Sequence, residues 1–247
     1  SGTTLVQQML SRHSAIEAVG ELDSLGDLIS SRFGDGGQVR LGEMFKTLDD
    51  FWIRAGAQGY IDQLTRYTSY DDLGEGGGVD FPKRFIDKMP ANFLYYKFIQ
   101  LALPKAKFIH TFRNSWDNAI SLFKANYQDT IIYASSFFGI ANEYSNYSAL
   151  MRFWKRNSAN QSFLDIDYEK MVTNTEESVK KLWDHCNLSG EFSNTKRKAH
   201  YANTASQQQV SKDIYKSSLK KDEFIEFKDK FYDDLDQQNS FWEKRGI

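Results

Sequence analysis

Apolar positions along the chain follow two patterns: a three-to-four-residue period, and short continuous runs between the periodic segments. Leu5 to Leu10 carries an apolar helical face directly after the small residues Ser1 to Thr4. Leu48 to Tyr67 places Phe51, Trp52, Ile61 and Leu64 at helical spacings. Asn92 to Leu103 reads as a helix stopped by Pro104. Ser115 to Tyr127 is helical, with Asn114 or Ser115 as its cap, and Tyr133 to Trp154 is a long aromatic-rich helix. Glu176 to His185 gathers Val179, Leu182 and Trp183 on one side. The tail from Asp222 to Trp242 repeats Phe224, Phe227, Phe231 and Leu235 every three or four residues, as a packing helix does. Between these segments Phe85-Ile86, Lys107 to Phe112 and Phe163 to Ile166 are short runs of strand character. Short strands alternating with helices predict an α/β domain with a mainly parallel sheet. Such sheets bind ligands at the carboxyl ends of their strands, so the loops after the strands matter most.

Composition narrows the classes. The 247 residues carry 31 Lys+Arg against 33 Asp+Glu, a formal net charge of -2. A general binder of nucleic acid or anionic membrane shows a basic excess, so those partners are disfavoured. A pocket for one small anion is still allowed. The single cysteine, Cys186, excludes an intrachain disulfide and a cysteine-based zinc site. It favours a reducing, cytoplasmic setting. No apolar run approaches the roughly 20 residues of a membrane span. The four histidines His13, His110, His185 and His200 form no metal-binding spacing, and His110 reads as a core histidine within a strand. Gly74, Gly76, Gly77 and Gly78 read as a loop, since no Lys-Ser/Thr pair follows to make them a phosphate cradle.

Three places carry candidate chemistry. Ser1-Gly2-Thr3-Thr4 leads straight into a helix, and hydroxyls with exposed N–H groups at a helix start make an anion site; an ordinary helix cap is the alternative. In Asp87-Lys88-Met89-Pro90-Ala91-Asn92, Lys88 ends a strand and aims a cation at the sheet edge, the alternative being a surface lysine. Arg113 leaves the Lys107–Phe112 strand, and Ser121 follows eight residues on, about two helical turns into the next helix. A guanidinium and a hydroxyl so placed can grip a phosphate, although Arg113 can equally pair with Asp117.

Together these residues resemble the sulfotransferases that use 3′-phosphoadenosine-5′-phosphosulfate. Ser1, Gly2, Thr3 and Thr4 match that family's loop for the 5′-phosphosulfate, and Arg113 with Ser121 matches its 3′-phosphate pair. Phe163 to Val172 resembles the family's strand-Tyr-Glu block, whose tyrosine lies near the adenine, here Tyr168. Thr204 to Val210 is similar to its Thr-x-Ser-x-x-Gln-Val block and brings in Ser206; Lys220 and Lys221 stand where the family closes a basic loop over the nucleotide. The blocks occur in family order across nearly the whole chain. Gly20-Glu21-Leu22 and Asp87-Lys88-Met89-Pro90 resemble the branch of tyrosylprotein and bacterial tetratricopeptide-linked sulfotransferases. Pro90 stands where the cytosolic small-molecule branch has its catalytic histidine, and Asp222 where a tryptophan often follows the basic loop.

The resemblance implies a P-loop-like three-layer fold with a mainly parallel central sheet flanked by helices. It implies one domain over 1–247, lacking the first strand and the basic residue expected before Ser1. It implies sulfuryl transfer to a hydroxyl of a carbohydrate, protein tyrosine or small alcohol, with no metal. Lys88 is then the cation at the bridging oxygen, and Glu21 the general base, with Asp23 as its alternative. A Golgi lumen replaces the cytoplasm if a membrane anchor precedes Ser1. Two other classes compete: a nucleotide-binding interaction module without turnover, and a nucleotide kinase, which the missing Gly-Lys-Ser/Thr disfavours.

Overall fold

A computed structural model describes residues 2–22, 24–35, 38–39, 49–69, 84–125, 131–158, 163–190 and 224–247. Its elements run α1 (Thr3–Leu10), β1 (Ile16–Gly20), α2 (Ser24–Phe33), β2 (Gly34–Asp35), β3 (Gln38–Val39), α3 (Asp50–Ser69), β4 (Arg84–Asp87), a 3-10 turn (Pro90–Tyr95) and α4 (Tyr96–Ala102). They continue with β5 (Phe108–Phe112), α5 (Ser115–Lys124), a 3-10 turn (Ile132–Ser135), α6 (Phe137–Arg156), β6 (Phe163–Asp167), α7 (Tyr168–Thr173), α8 (Thr175–His185), a 3-10 turn (Ile225–Phe227) and α9 (Lys228–Glu243).

Helix dominates, with small parallel sheets between. Among the described residues β1 pairs with β4 in parallel, from Ile16 opposite Arg84 to Gly20 opposite Asp87. β5 pairs with β6 in parallel, from Phe108 opposite Phe163 to Phe112 opposite Asp167. Parallel partners need long crossovers, and helices fill both: α2 and α3 before β4, α5 and α6 before β6. The short pair β2–β3 is antiparallel. This mixed architecture is compatible with the expected α/β class.

Two compact units form. One draws on the described residues within Thr3–Lys107 and Val179–Lys212, the other on those within Ser1–Gly2, Phe108–Ser178 and Asp213–Ile247. In the first, Val19, Leu22, Leu25, Ile29, Tyr60, Leu64 and Phe98 make a buried cluster around β1, α2, α3 and α4. In the second, Trp116, Ala119 and Ile120 of α5 pack with Ile140 and Ala141 of α6 and with Phe231 and Leu235 of α9. The tail is thus a packing helix, as its period predicts.

Several boundaries depart from the sequence pattern for local reasons. The expected helix Tyr133 to Trp154 is interrupted at Ser136, which sits extended (φ -150, ψ 150) and accepts from the Gly139 amide at 3.0 Å. That side-chain bond starts α6 afresh. Gly139 is required there, because a Cβ would lie 2.5 Å from the Tyr133 carbonyl oxygen. Asn92 to Leu103 divides because Pro90 opens a 3-10 turn before α4 begins. The tail helix starts only after Phe224, whose left-handed φ of 60 breaks the period. β1 and α2 were invisible to pattern reading. β1 spans five residues, four of them buried, so no alternation marks it.

Candidate active site

The first cluster stands at the carboxyl ends of β1 and β4. Gly20 ends β1 with φ +78, a conformation that favours glycine, and its carbonyl accepts from the Lys88 amide at 2.9 Å. Glu21 and Lys88 therefore leave adjacent strand ends side by side, and the Lys88 ammonium donates to Glu21 Oε1. The Lys88 side chain is only 4% exposed and that of Glu21 21%. A lysine buried to this degree needs a partner, and Glu21 is that partner. The surface-lysine alternative is excluded.

Asp87, one residue before Lys88, holds a second set of contacts. Its Oδ2 accepts from the Tyr60 hydroxyl of α3 at 2.5 Å and from Asn92 Nδ2 of the following turn at 2.9 Å. Burial pushes the Asp87 carboxyl above its usual range, against the hydrogen bonds from Tyr60 and Asn92 that favour its charged form. The Tyr60 hydroxyl is driven far above its usual range by burial first and by the Asp87 carboxylate second. In the same unit Thr3 and Thr4 open α1, both half-buried.

The second cluster stands where β5 and β6 end. Asn114 caps α5, accepting from the amides of Trp116 at 3.0 Å and Asp117 at 3.1 Å, which settles the choice between Asn114 and Ser115. Arg113, just before it, lies with Cζ 4.9 Å from the Tyr168 ring centroid and Nε 3.9 Å from Glu169 Oε1. Glu169 also accepts from the Asn114 amide at 3.2 Å. β6 brings Tyr168 and Glu169 there, because Phe112 and Asp167 are register partners. Gly2, at φ +91, lies so close that a Cβ would approach Tyr168 Cδ2 to 2.6 Å. Ser121 lies exposed on α5.

In that unit His110 is a satisfied histidine, as expected of a core position. Its Nδ1 lies 2.7 Å from Asp165 Oδ1, its strand partner, and its Nε2 meets the Tyr147 hydroxyl of α6. Lys155 donates to Asp165 Oδ2 at 2.8 Å. Burial lowers the His110 pKa, against the favourable Asp165 carboxylate.

Of the residues proposed from sequence, the structure brings Glu21 to Lys88 and both Gly2 and Arg113 to Tyr168. Ser1, Asp23, Ser206, Lys220, Lys221 and the glycine cluster lie outside the described residues. Sequence reasoning missed Asp87, Tyr60 and Glu169 as partners of the site. Asp87 was legible only as a neighbour of Lys88, while Tyr60 meets it across 27 residues of chain. Among the described residues no group of His, Cys, Asp and Glu could hold a metal ion. No helix among them is long and apolar enough to cross a membrane.

Each unit thus holds a compensated cation at the ends of a parallel strand pair: Lys88 against Glu21 in one, and Arg113 against the Tyr168 ring and Glu169 in the other. The sulfotransferase family model matches residues 1–192, and the chain belongs to that family. It is also 30% identical over 234 residues to an uncharacterized protein of Aquifex aeolicus (strain VF5), an alignment covering 90% of this chain. The chain spans about 29% of that relative's length.

Proposed function

We propose that the chain moves a sulfuryl group from 3′-phosphoadenosine-5′-phosphosulfate to an acceptor hydroxyl by in-line displacement. The observation that carries this reading is the buried Lys88–Glu21 pair at the carboxyl ends of β1 and β4. In-line transfer needs a base on the attacking hydroxyl and a cation at the leaving oxygen. The two strand ends supply both. The donor contributes an activated sulfur whose departing oxygen belongs to a phosphate. As that oxygen gains charge, Lys88 turns toward it, which releases Glu21 to take the acceptor's proton. The new bond joins the acceptor oxygen to sulfur, the sulfur–phosphate oxygen bond breaks, and the proton ends on Glu21.

Ser1, Gly2, Thr3 and Thr4 hold the 5′-phosphate end, and Arg113 and Ser121 the 3′-phosphate. Tyr168 lies along the adenine, with Ser206, Lys220 and Lys221 closing over the nucleotide. The residues present fit such a donor: Gly2 leaves backbone where a Cβ would collide with Tyr168, and Arg113 already rests on that ring. Residues 1–247 act in this reading as one catalytic domain with a three-layer, P-loop-like arrangement. The acceptor is a carbohydrate, protein tyrosine or small alcohol.

The test is sulfur-35 transfer from the donor to a panel of these three acceptor classes, beside calorimetric titration with 3′-phosphoadenosine 5′-phosphate and with ATP. Transfer plus selective binding of the 3′-phosphorylated nucleotide is expected. Binding without transfer to any acceptor makes the chain a nucleotide-binding module, and preference for ATP makes it kinase-like.

A further inference from the structure

We infer that Asp87 is a positioning residue for the sulfuryl-transfer cation, acting with Tyr60 and Asn92 to hold the strand end from which Lys88 projects. The inference rests on the reading of Lys88 given above. Asp87 closes the β1–β4 register opposite Gly20, and the next amide, Lys88 N–H, bonds back to Gly20 at 2.9 Å. One backbone step thus separates the Asp87 carboxylate from the lysine and from the strand end carrying Glu21.

A buried carboxylate is costly to keep unless it is well bonded. Asp87 takes two side-chain bonds on its Oδ2, and the donors come from different elements. Tyr60 reaches it from α3, inside the buried cluster with Val19 and Leu22 that flank Gly20-Glu21. Asn92 reaches it from the turn opened by Pro90, just past Lys88. The carboxylate therefore pins the residues before and after Lys88 to a packed helix. A long, flexible side chain such as lysine gains a defined reach only when its backbone is so fixed.

Three variants test this: Asp87→Ala, Asp87→Asn and Tyr60→Phe. The amide oxygen of Asp87→Asn still accepts from Tyr60 and Asn92, so that variant retains positioning. Asp87→Ala is expected to lower kcat about ten- to a hundredfold, with KM and desulfated-nucleotide affinity within about twofold. Tyr60→Phe lowers kcat about three- to tenfold, and Asp87→Asn stays within about threefold of wild type. Asp87→Asn as damaged as Asp87→Ala overturns the proposal, because charge and not positioning then matters. So does a loss confined to KM.

A readout without turnover separates this from failure of the transfer reading. Acetylation of the free protein, followed by peptide mass spectrometry, compares Lys88 with the more exposed Lys155. The Lys88-to-Lys155 ratio rises in Asp87→Ala and Tyr60→Phe and stays at the wild-type value in Asp87→Asn. An unchanged ratio in all three sinks the inference whether or not sulfate is transferred. If Asp87→Ala does not fold, Tyr60→Phe, which deletes one hydroxyl, decides by the same ratio.

Discussion

The ends of the two parallel strand pairs compensate buried cations in different ways. After β1 and β4, Lys88 is matched one-to-one by Glu21 in direct contact. After β5 and β6, Arg113 is shared between a ring face at 4.9 Å and a carboxylate at 3.9 Å that itself serves the Asn114 amide. A contact ion pair is a closed arrangement: moving the ammonium toward a ligand changes the charge state available to the carboxylate. A guanidinium resting on a ring is an open one, because its planar fork can engage a second anion while the ring contact persists. The first arrangement suits a step in which charge moves. The second suits holding a charge that does not. The difference is sharpest under mutation, since one end should govern rate and the other affinity.

The largest effect is expected at Lys88. Lys88→Ala should lower the transfer rate on the order of a hundredfold or more, with a much smaller change in binding of the desulfated nucleotide. It also leaves Glu21 without its buried partner, a loss of about 3 kcal/mol in unfolding free energy if Glu21 stays ionised. Rate is read by initial velocities, affinity by calorimetry, and stability by urea midpoint. Equal losses of rate and affinity would erase the contrast, making Lys88 a ground-state anchor.

Arg113 comes next. A charge-assisted hydrogen bond is worth about 1.5–3 kcal/mol, so Arg113→Ala should weaken binding of the 3′-phosphorylated nucleotide roughly ten- to a hundredfold. Ser121→Ala should cost about 1 kcal/mol, and Arg113→Lys should rescue only in part, lacking the two-pronged contact. Adenosine 5′-phosphosulfate, which has no 3′-phosphate, is the control. Wild type should bind it weakly and Arg113→Ala about as weakly. The same loss for both ligands would mean that Arg113 serves the fold, through Glu169 and Tyr168.

The cap that follows Arg113 separates holding the residue from holding the helix. Asn114→Ala removes the acceptor for the Trp116 and Asp117 amides and should cost about 1 kcal/mol of stability. Thermal or urea unfolding measures it. Nucleotide affinity should change little, because Arg113 keeps its ring and carboxylate contacts. A tenfold drop in affinity instead would show that α5 must be capped to aim Arg113.

The two strand ends also differed in how far sequence revealed them. Arg113, Asn114 and the helix after them are local: strand, cap and apolar period run together from Phe108 to Lys124, and spacing left open only whether Asn114 or Ser115 makes the cap. Glu21 and Lys88 were nameable as candidates, yet their contact spans 67 residues of chain and depends on β1, whose buried run shows no alternation. Tyr60 illustrates the same limit. On α3 it reads as one more apolar position, and only pairing of β1 with β4 gives its hydroxyl a carboxylate to meet. The break at Ser136 is local in kind, a serine cap before Gly139, but an aromatic-rich period masked it. Local chemistry is legible in sequence; partners fixed by strand register are not.

The smallest expected effect is a pH slope from His110, and it tests whether polar groups along β5 and β6 serve the fold. Burial lowers the His110 pKa, with Lys155 adding to the fall and Asp165 opposing it; Tyr147 contributes a hydroxyl on the other nitrogen. In the unfolded chain this histidine titrates near an ordinary value of about 6.5. The folded state therefore binds the proton less tightly. Above about pH 6.5 both states are neutral at this site, and its contribution to stability is fully present. As pH falls below that value the unfolded state gains the proton first, and stability declines until pH passes below the folded pKa. Asp165 is also pushed upward by burial, but Lys155 and His110 outweigh that and hold its carboxyl below the ordinary range. Its own contribution is lost only at more acid pH, so the two windows separate. Urea midpoints at pH 7.5, 6.5 and 5.5 should fall in wild type and fall less in His110→Gln, whose amide keeps a polar contact without titrating. Parallel slopes in the two proteins would place the acid sensitivity elsewhere, and the His110–Tyr147 contact would then hold α6 to the strands equally well in either protonation state.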